Sequence, residues 1–212
     1  MHRRMPSIRT TVPVAGLLAG ILAGVIAGAG HLHSQASTLV AHGFDGTTHG
    51  WSVSGDTGAV QPQLHAAGGH PDGYISHVDE ALGETWYFSA PENVLRVLAS
   101  AEHGALRYDL KQSADIVGNF EDDVVVVGPA GRISYRFPES PGTDWRTFTV
   151  SFTAGSGWRW NWNAPATQAQ IRSVLTSATS LEIRGEYHTG PDEGALDNVV
   201  ITNAPTTVTS RP

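Results

Sequence analysis

Cysteine is absent from all 212 residues. No disulfide and no thiolate-held metal can brace the fold, so the hydrophobic core, with or without help from a metal held by oxygen or imidazole, has to hold it together. Cations are scarce as well: thirteen Lys and Arg face twenty Asp and Glu, for a formal charge of −7. Binding nucleic-acid phosphates needs clustered cations that displace counterions, so duplex or single-stranded nucleic acid is excluded as a partner. No internal repeat is visible, and long helical periodicity is missing. The length suits one sizeable domain with short extra segments.

What charge asymmetry there is lies at the start. Residues 1–36 hold Arg3, Arg4 and Arg9 and no acid, and Thr10 to Gly30 carry no charge at all. This is the pattern of an export signal, either cleaved near Ala29 or Ala36 or kept as a membrane anchor with the arginines inside. Gly16, Gly20, Gly24 and Gly28 recur every fourth residue, which on an anchor helix would make a smooth stripe for a second helix. Without those three arginines the charge falls from −7 to −10. The sequence therefore divides into a signal peptide or anchor helix over 1–36, an acidic domain over 37–203 placed outside the cytoplasm, and a mobile Thr/Pro/Ser-rich tail over 204–212.

From Thr38 on, short apolar or alternating runs are broken by Gly, Pro, Asp and Asn, the pattern of strands joined by turns. Ten strands are expected: Leu39–Phe44, Trp51–Ser54, Tyr74–Val78, Trp86–Ser89, Leu106–Leu110, Asp123–Val127, Ile133–Phe137, Arg146–Phe152, Leu181–Tyr187 and Leu196–Thr202. Four consecutive valines, Val124 to Val127, suit a buried strand. One short helix is expected, where Thr167 and Gln170 fit a capping box and Ile171, Val174 and Leu175 share a face. The class is all-β, a sandwich of the jelly-roll kind.

Six phrases in order carry a resemblance. They are Gly68-Gly69-His70-Pro71-Asp72-Gly73-Tyr74-Ile75, Trp86-Tyr87-Phe88-Ser89-Ala90-Pro91, Gly104-Ala105-Leu106-Arg107-Tyr108-Asp109-Leu110, Trp145 with Val174-Leu175, Leu181 to Tyr187, and Gly194-Ala195-Leu196-Asp197-Asn198-Val199. Together they resemble the laminin B domain, or laminin domain IV, in its bacterial form, across about Leu39 to Thr202. The resemblance implies a jelly-roll sandwich similar to galactose-binding-like and carbohydrate-binding modules, with adhesive or structural roles and no catalysis. Glu102-His103-Gly104 and Asp72 depart from its usual pattern, and the Cys-rich repeats that flank the domain in laminins are missing.

Candidate sites follow. Asp45 closes the first strand and Asp197 opens the last. Related carbohydrate-binding modules hold a structural calcium there, so Asp45 and Asp197, helped by Asp192 or Glu193, are expected metal ligands, the alternative being turns closed by their own side chains. Trp158, Trp160 and Trp162 alternate; if extended, their indoles point one way and offer a platform for sugar rings, the alternative being core filling with one ring inward. Ten histidines lack close metal-ligand spacing and are expected in surface loops. The carboxylate pairs at Glu121-Asp122-Asp123 and Asp192-Glu193 read as solvated turns, and no nucleophile elbow is present. The expected function is an exported, non-catalytic module for an extracellular glycan or a cell-surface protein. The alternatives are an assembly domain tethered by its anchor helix and a jelly-roll enzyme acting on polysaccharide.

Overall fold

The protein is described by a computed structural model covering residues 32–55, 58–79, 83, 85–115, 121–188 and 191–209. The segment 1–31, which carries most of the export signal or anchor, lies outside the described residues. Among those that are described, no helix is long and apolar enough to cross a membrane.

Two antiparallel sheets face each other. The first runs β10 (Arg146–Ser151), β7 (Ala105–Gln112), β14 (Asp192–Thr202), β5 (Tyr74–Asp79) and β4 (Gln63–His65), with β2 (Thr38–His42) also paired to β14. The strand β14 is long enough to take two partners in succession, β5 along Asp192–Leu196 and β2 along Val199–Thr202. A bulge between Asp197 and Val200 separates the two stretches, and Asn198 there has φ +50°. Such bulges re-aim side chains next to functional sites. The second sheet runs β12 (Ala164–Pro165), β11 (Arg159–Trp160), β9 (Gly131–Tyr135), β8 (Val124–Gly128), β13 (Ser180–Arg184), β6 (Tyr87–Ser89) and β3 (Ser52–Ser54). All ten expected strands are present, each shifted at its ends by a few residues.

The core fills the space between the inner faces. Leu106, Tyr108 and Leu110 of β7 and Leu196 of β14 meet Val124, Val126, Leu181 and Ile183 of the second sheet. Trp86 lies against two glycines: a Cβ on Gly185 would stand 1.8 Å from its ring, and one on Gly194 2.8 Å. Any side chain at Gly185 would displace the indole, which is why the chain keeps a glycine in each of those two phrases. The α-helix Gln168–Thr176 is capped as expected: Thr167 accepts from the Gln170 amide while the Gln170 side chain accepts from the Thr167 amide, and Ile171, Val174 and Leu175 are buried.

Three expectations need correction. A second helix, Glu92–Val97, follows Pro91; six residues with one buried apolar side chain are too few to show a helical period. Residues 206–209, expected in a mobile tail, form β15 (Thr206–Thr209) paired with β1 (Leu32–Gln35). Asp122, Asp123 and Asp192 are buried rather than solvated. Asp122 meets Arg132 at 2.9 Å, and Asp123 accepts from Tyr187 Oη at 2.8 Å and from the Phe137 amide at 2.6 Å. Burial dominates and pushes the Asp123 carboxyl up.

Candidate functional site

The outer face of the first sheet carries the most developed surface feature. Strand register sets Gln63 opposite Ser76, Ser76 opposite Ala195, and Ala195 opposite Lys111. Directly opposed residues share a face, and the neighbours Ile75, Leu110 and Leu196 point the other way, into the core. The small Ala195 thus makes a floor in mid-sheet, with Ser76 beside it covered by His65, whose Nε2 lies 2.8 Å from the serine Oγ. Tyr74 rises beside it, with His65 stacked on its ring at 4.3 Å and Trp145 edge-on at 5.5 Å. Trp145 is fixed by its indole N–H, which donates to the Gly68 carbonyl at 3.0 Å. The Lys111 ammonium stands 4.9 Å from the Tyr74 ring centre and 4.8 Å from that of Trp145. Glu193 and Ser113 form the opposite wall and Thr143 one end, enclosing about 210 Å³. Burial first, then the Glu193 carboxylate, pushes the Tyr74 phenol up.

This groove has an aromatic wall, hydroxyls, one ammonium and one carboxylate. It can admit a polar ring beside Tyr74 and Lys111 and hydrogen-bond its substituents. Among the described residues its lining holds one carboxylate, Glu193, where glycoside hydrolysis typically uses two. Tyr74 and Trp145 stood within the phrases that carried the resemblance, but sequence reading did not single them out as ligand residues. The available signal was alternation: Tyr74 and Ser76 share one face of a strand whose other face holds Ile75.

Next to the groove is a polar cluster. The turn Gly68–Gly73 folds over it, closed by Gly69 N–H donating to the Asp72 carbonyl at 2.8 Å. Positive φ falls on Gly68 and Asp72. Gly73 serves instead for close approach, since a Cβ there would lie 2.5 Å from the Phe44 carbonyl. Asp109, fully buried, accepts from Thr147 Oγ1 at 2.6 Å and from Asn198 Nδ2 at 2.8 Å, and stands 3.1 Å from His70 Nδ1. Asp197 accepts from the amides of His70 and Asn198, each at 2.6 Å. Its carboxyl is pushed up to about 6, by burial first; those two amides oppose the rise, and Asp109 and Asp45 add to it.

Of the expected calcium ligands, Asp45 and Asp197 lie in this cluster; Asp45 accepts from the Gly73 amide at 2.9 Å. Asp192 does not belong to it: it pairs with Asp79 at the other end of the β5–β14 ladder. Both oxygens of Asp197 and both of Asp109 already accept hydrogen bonds. Asn198 Nδ2 bridges Asp109 and the His70 carbonyl. Among the described residues no three His, Asp or Glu side chains are grouped to hold a metal ion. Calcium needs six to eight oxygens, and in this arrangement the carboxylates of Asp197 and Asp109 are engaged by amide and hydroxyl donors.

The three tryptophans do not form a row. Trp158 is buried, stacked on Phe152 at 5.5 Å with its indole N–H on the Ser151 carbonyl at 2.7 Å. Trp160 is half-buried and lies against Gly131. Asn161 and Trp162 have φ +42° and +81°, which ends the extended alternation. Trp162 alone is well exposed, at 59%, and the Arg132 guanidinium lies 3.5 Å from its ring centre. A second hollow of about 380 Å³ beside this hairpin is lined by Gly155, Gly157, Arg159 and Asn163, with Trp158 and Pro165. Nor are all histidines in loops at the surface: His42 is buried, and its Nδ1 accepts from Trp51 Nε1 at 3.0 Å.

The family model described as Laminin B (Domain IV) matches residues 87–212. Among solved structures, the L4b domain of human laminin alpha-2 shares the fold with a TM-score of 0.60 and 12% identity, over 79% of this chain and 98% of that one. The family 11 carbohydrate-binding module of the cellulosomal cellulase Lic26A-Cel5E of Clostridium thermocellum gives 0.48 at 14% identity, over 81% and 96%. A carbohydrate esterase from the Shiga toxin-encoding bacteriophage phi24B gives 0.46 at 13%, over 80% and 99%. No curated protein matches the chain.

Proposed function

Since this chain belongs to the laminin B (domain IV) family, we propose that it is a non-catalytic binding module of an exported protein, and that the groove on its first sheet takes an extracellular glycan. The observation that carries this is the small-residue floor at Ala195, with Tyr74 and Lys111 on one side, Trp145 packed behind them, and Glu193, Ser113 and Thr143 facing them. The polar rim suits the hydroxyls of a sugar ring, and the Tyr74 ring, stacked on His65 and faced by Lys111, gives the groove a fixed side. A groove with one carboxylate favours binding over hydrolysis. Export through segment 1–36, cleaved or retained as an anchor, would place the module where such glycans are found.

The test is a glycan array probed with the full chain, beside Tyr74→Ala, Trp145→Ala and Trp162→Ala, each checked for an unchanged melting temperature. Loss of one aromatic wall should weaken binding at least about tenfold, since stacking partners and their buried area contribute about 1–3 kcal/mol. The Trp162 variant should bind as the parent does. Loss on Trp162→Ala alone would move the site to the β11–β12 hairpin, and no binding by the parent would favour the assembly role.

A further inference from the structure

Lys111 is the only lysine in the chain, and the groove is where it stands. The other cations of this acidic protein are largely neutralised: seven described arginines lie within salt-bridge distance of a carboxylate. Among the described residues Lys111 has no such partner. Two ring faces hold it instead, Tyr74 at 4.9 Å and Trp145 at 4.8 Å. Ring quadrupoles attract an ammonium without cancelling its charge. The result is a positioned cation, half-buried, with no carboxylate of the described residues within salt-bridge distance.

We propose that the groove selects a glycan bearing an isolated carboxylate, a uronic acid set among neutral sugars, with the Lys111 ammonium as its anion-binding group. This rests on the groove being a glycan site. Lys111 lies across from Ala195, whose methyl group cannot pair with an ammonium. Ser113 and Thr143 offer hydroxyls to the neighbouring ring positions. The opposite wall limits the charge that can enter. Glu193 repels a second anion, and the formal charge of −7 works against any densely charged polymer. One cation facing one carboxylate therefore fits a sparsely charged chain better than a polyuronate or a sulfated glycan.

Having a single lysine allows a direct test. Reductive methylation keeps the charge and, apart from the α-amine, places one 13C-dimethyl signal at residue 111 of the full chain. The probes are xylo-, gluco- and galacto-oligosaccharides bearing one uronic acid, each beside its carboxyl-reduced form. The expected result is a shift of the Lys111 signal, and binding about tenfold tighter for at least one uronate form than for its reduced partner, the ordinary worth of a charge-assisted hydrogen bond. Lys111→Met, which keeps the stem, should bring that ratio to about one, and Lys111→Arg should retain it. Equal binding of both forms, unchanged by Lys111→Met, overturns the anionic preference and leaves the glycan site standing. If no probe binds and no signal shifts, both fall together.

Discussion

Lowering the pH from about 7 to about 4 acts on His42 against the fold. Its ring is 5% exposed, lies 4.3 Å from His49 in a parallel stack, and accepts the Trp51 indole hydrogen on Nδ1. Burial first, then the neighbouring His49, lowers its pKa from 6.5 to about 4. The unfolded chain takes up a proton near pH 6.5, whereas the folded chain waits until about pH 4. In that window the unfolded state binds more protons, so acid favours it. At about 1.4 kcal/mol per pH unit, the gap amounts to on the order of 3 kcal/mol. That is roughly 6 to 12 °C in melting temperature for a domain of this size. Urea unfolding at about pH 7 and about pH 4 should show that His42→Asn loses about 3 kcal/mol less than the parent over the interval, whatever its stability at neutral pH. Parallel losses in the two proteins, or a His42 imidazole resonance, identified by its loss in His42→Asn, that titrates near pH 6.5, would refute the reasoning.

Asp197 works in the opposite sense. With its carboxyl at about 6 when folded and near 3.8 when unfolded, the cost of its ionisation is present above about pH 6 and relieved as pH falls. Asp197→Asn should therefore compare more favourably with the parent at about pH 7 than at about pH 4, by up to about 3 kcal/mol in urea titrations; a constant difference would contradict this. Calcium gives a further check. Because the oxygens of Asp197 and Asp109 are occupied by hydrogen bonds, melting curves with excess calcium and with chelator should coincide. A rise of several degrees in calcium would return Asp45 and Asp197 to a metal site.

Much of the fold was legible because strand signals here are local. The run Val124–Val127, the alternation around Ile75 and Leu110, and the Thr167–Gln170 cap each report their own conformation, and each was found. The groove was less legible. Lys111, Ala195 and Ser76 are neighbours only through cross-strand register, and register is a property of pairing rather than of any one segment. The tryptophan hairpin misled for a related reason: three indoles two residues apart promise one face only while the backbone stays extended, and left-handed Asn161 and Trp162 break that condition. Buried charge was missed because Asp122 and Asp123 follow Glu121 in what looks like a solvated turn, while their partners Arg132, Phe137 and Tyr187 come from elsewhere in the chain.

The ribbon that joins the two ends of the described chain has a mechanical consequence. Leu32 is paired with Thr209 and Gln35 with Thr206, and the ladder continues through Ser37 and Asn203 into the β2–β14 pair. Both chain ends therefore leave from the same corner. Tension applied between a tether before Leu32 and whatever follows Thr209 would peel this ribbon one rung at a time, rather than shear the whole ladder at once. The terminal rungs would part at low load and act as a short extensible strap, and the force would reach β2 and β14 only after the strap was spent. The groove beside Tyr74, on strands further along the sheet, would keep its shape under loads that had already lengthened the connection.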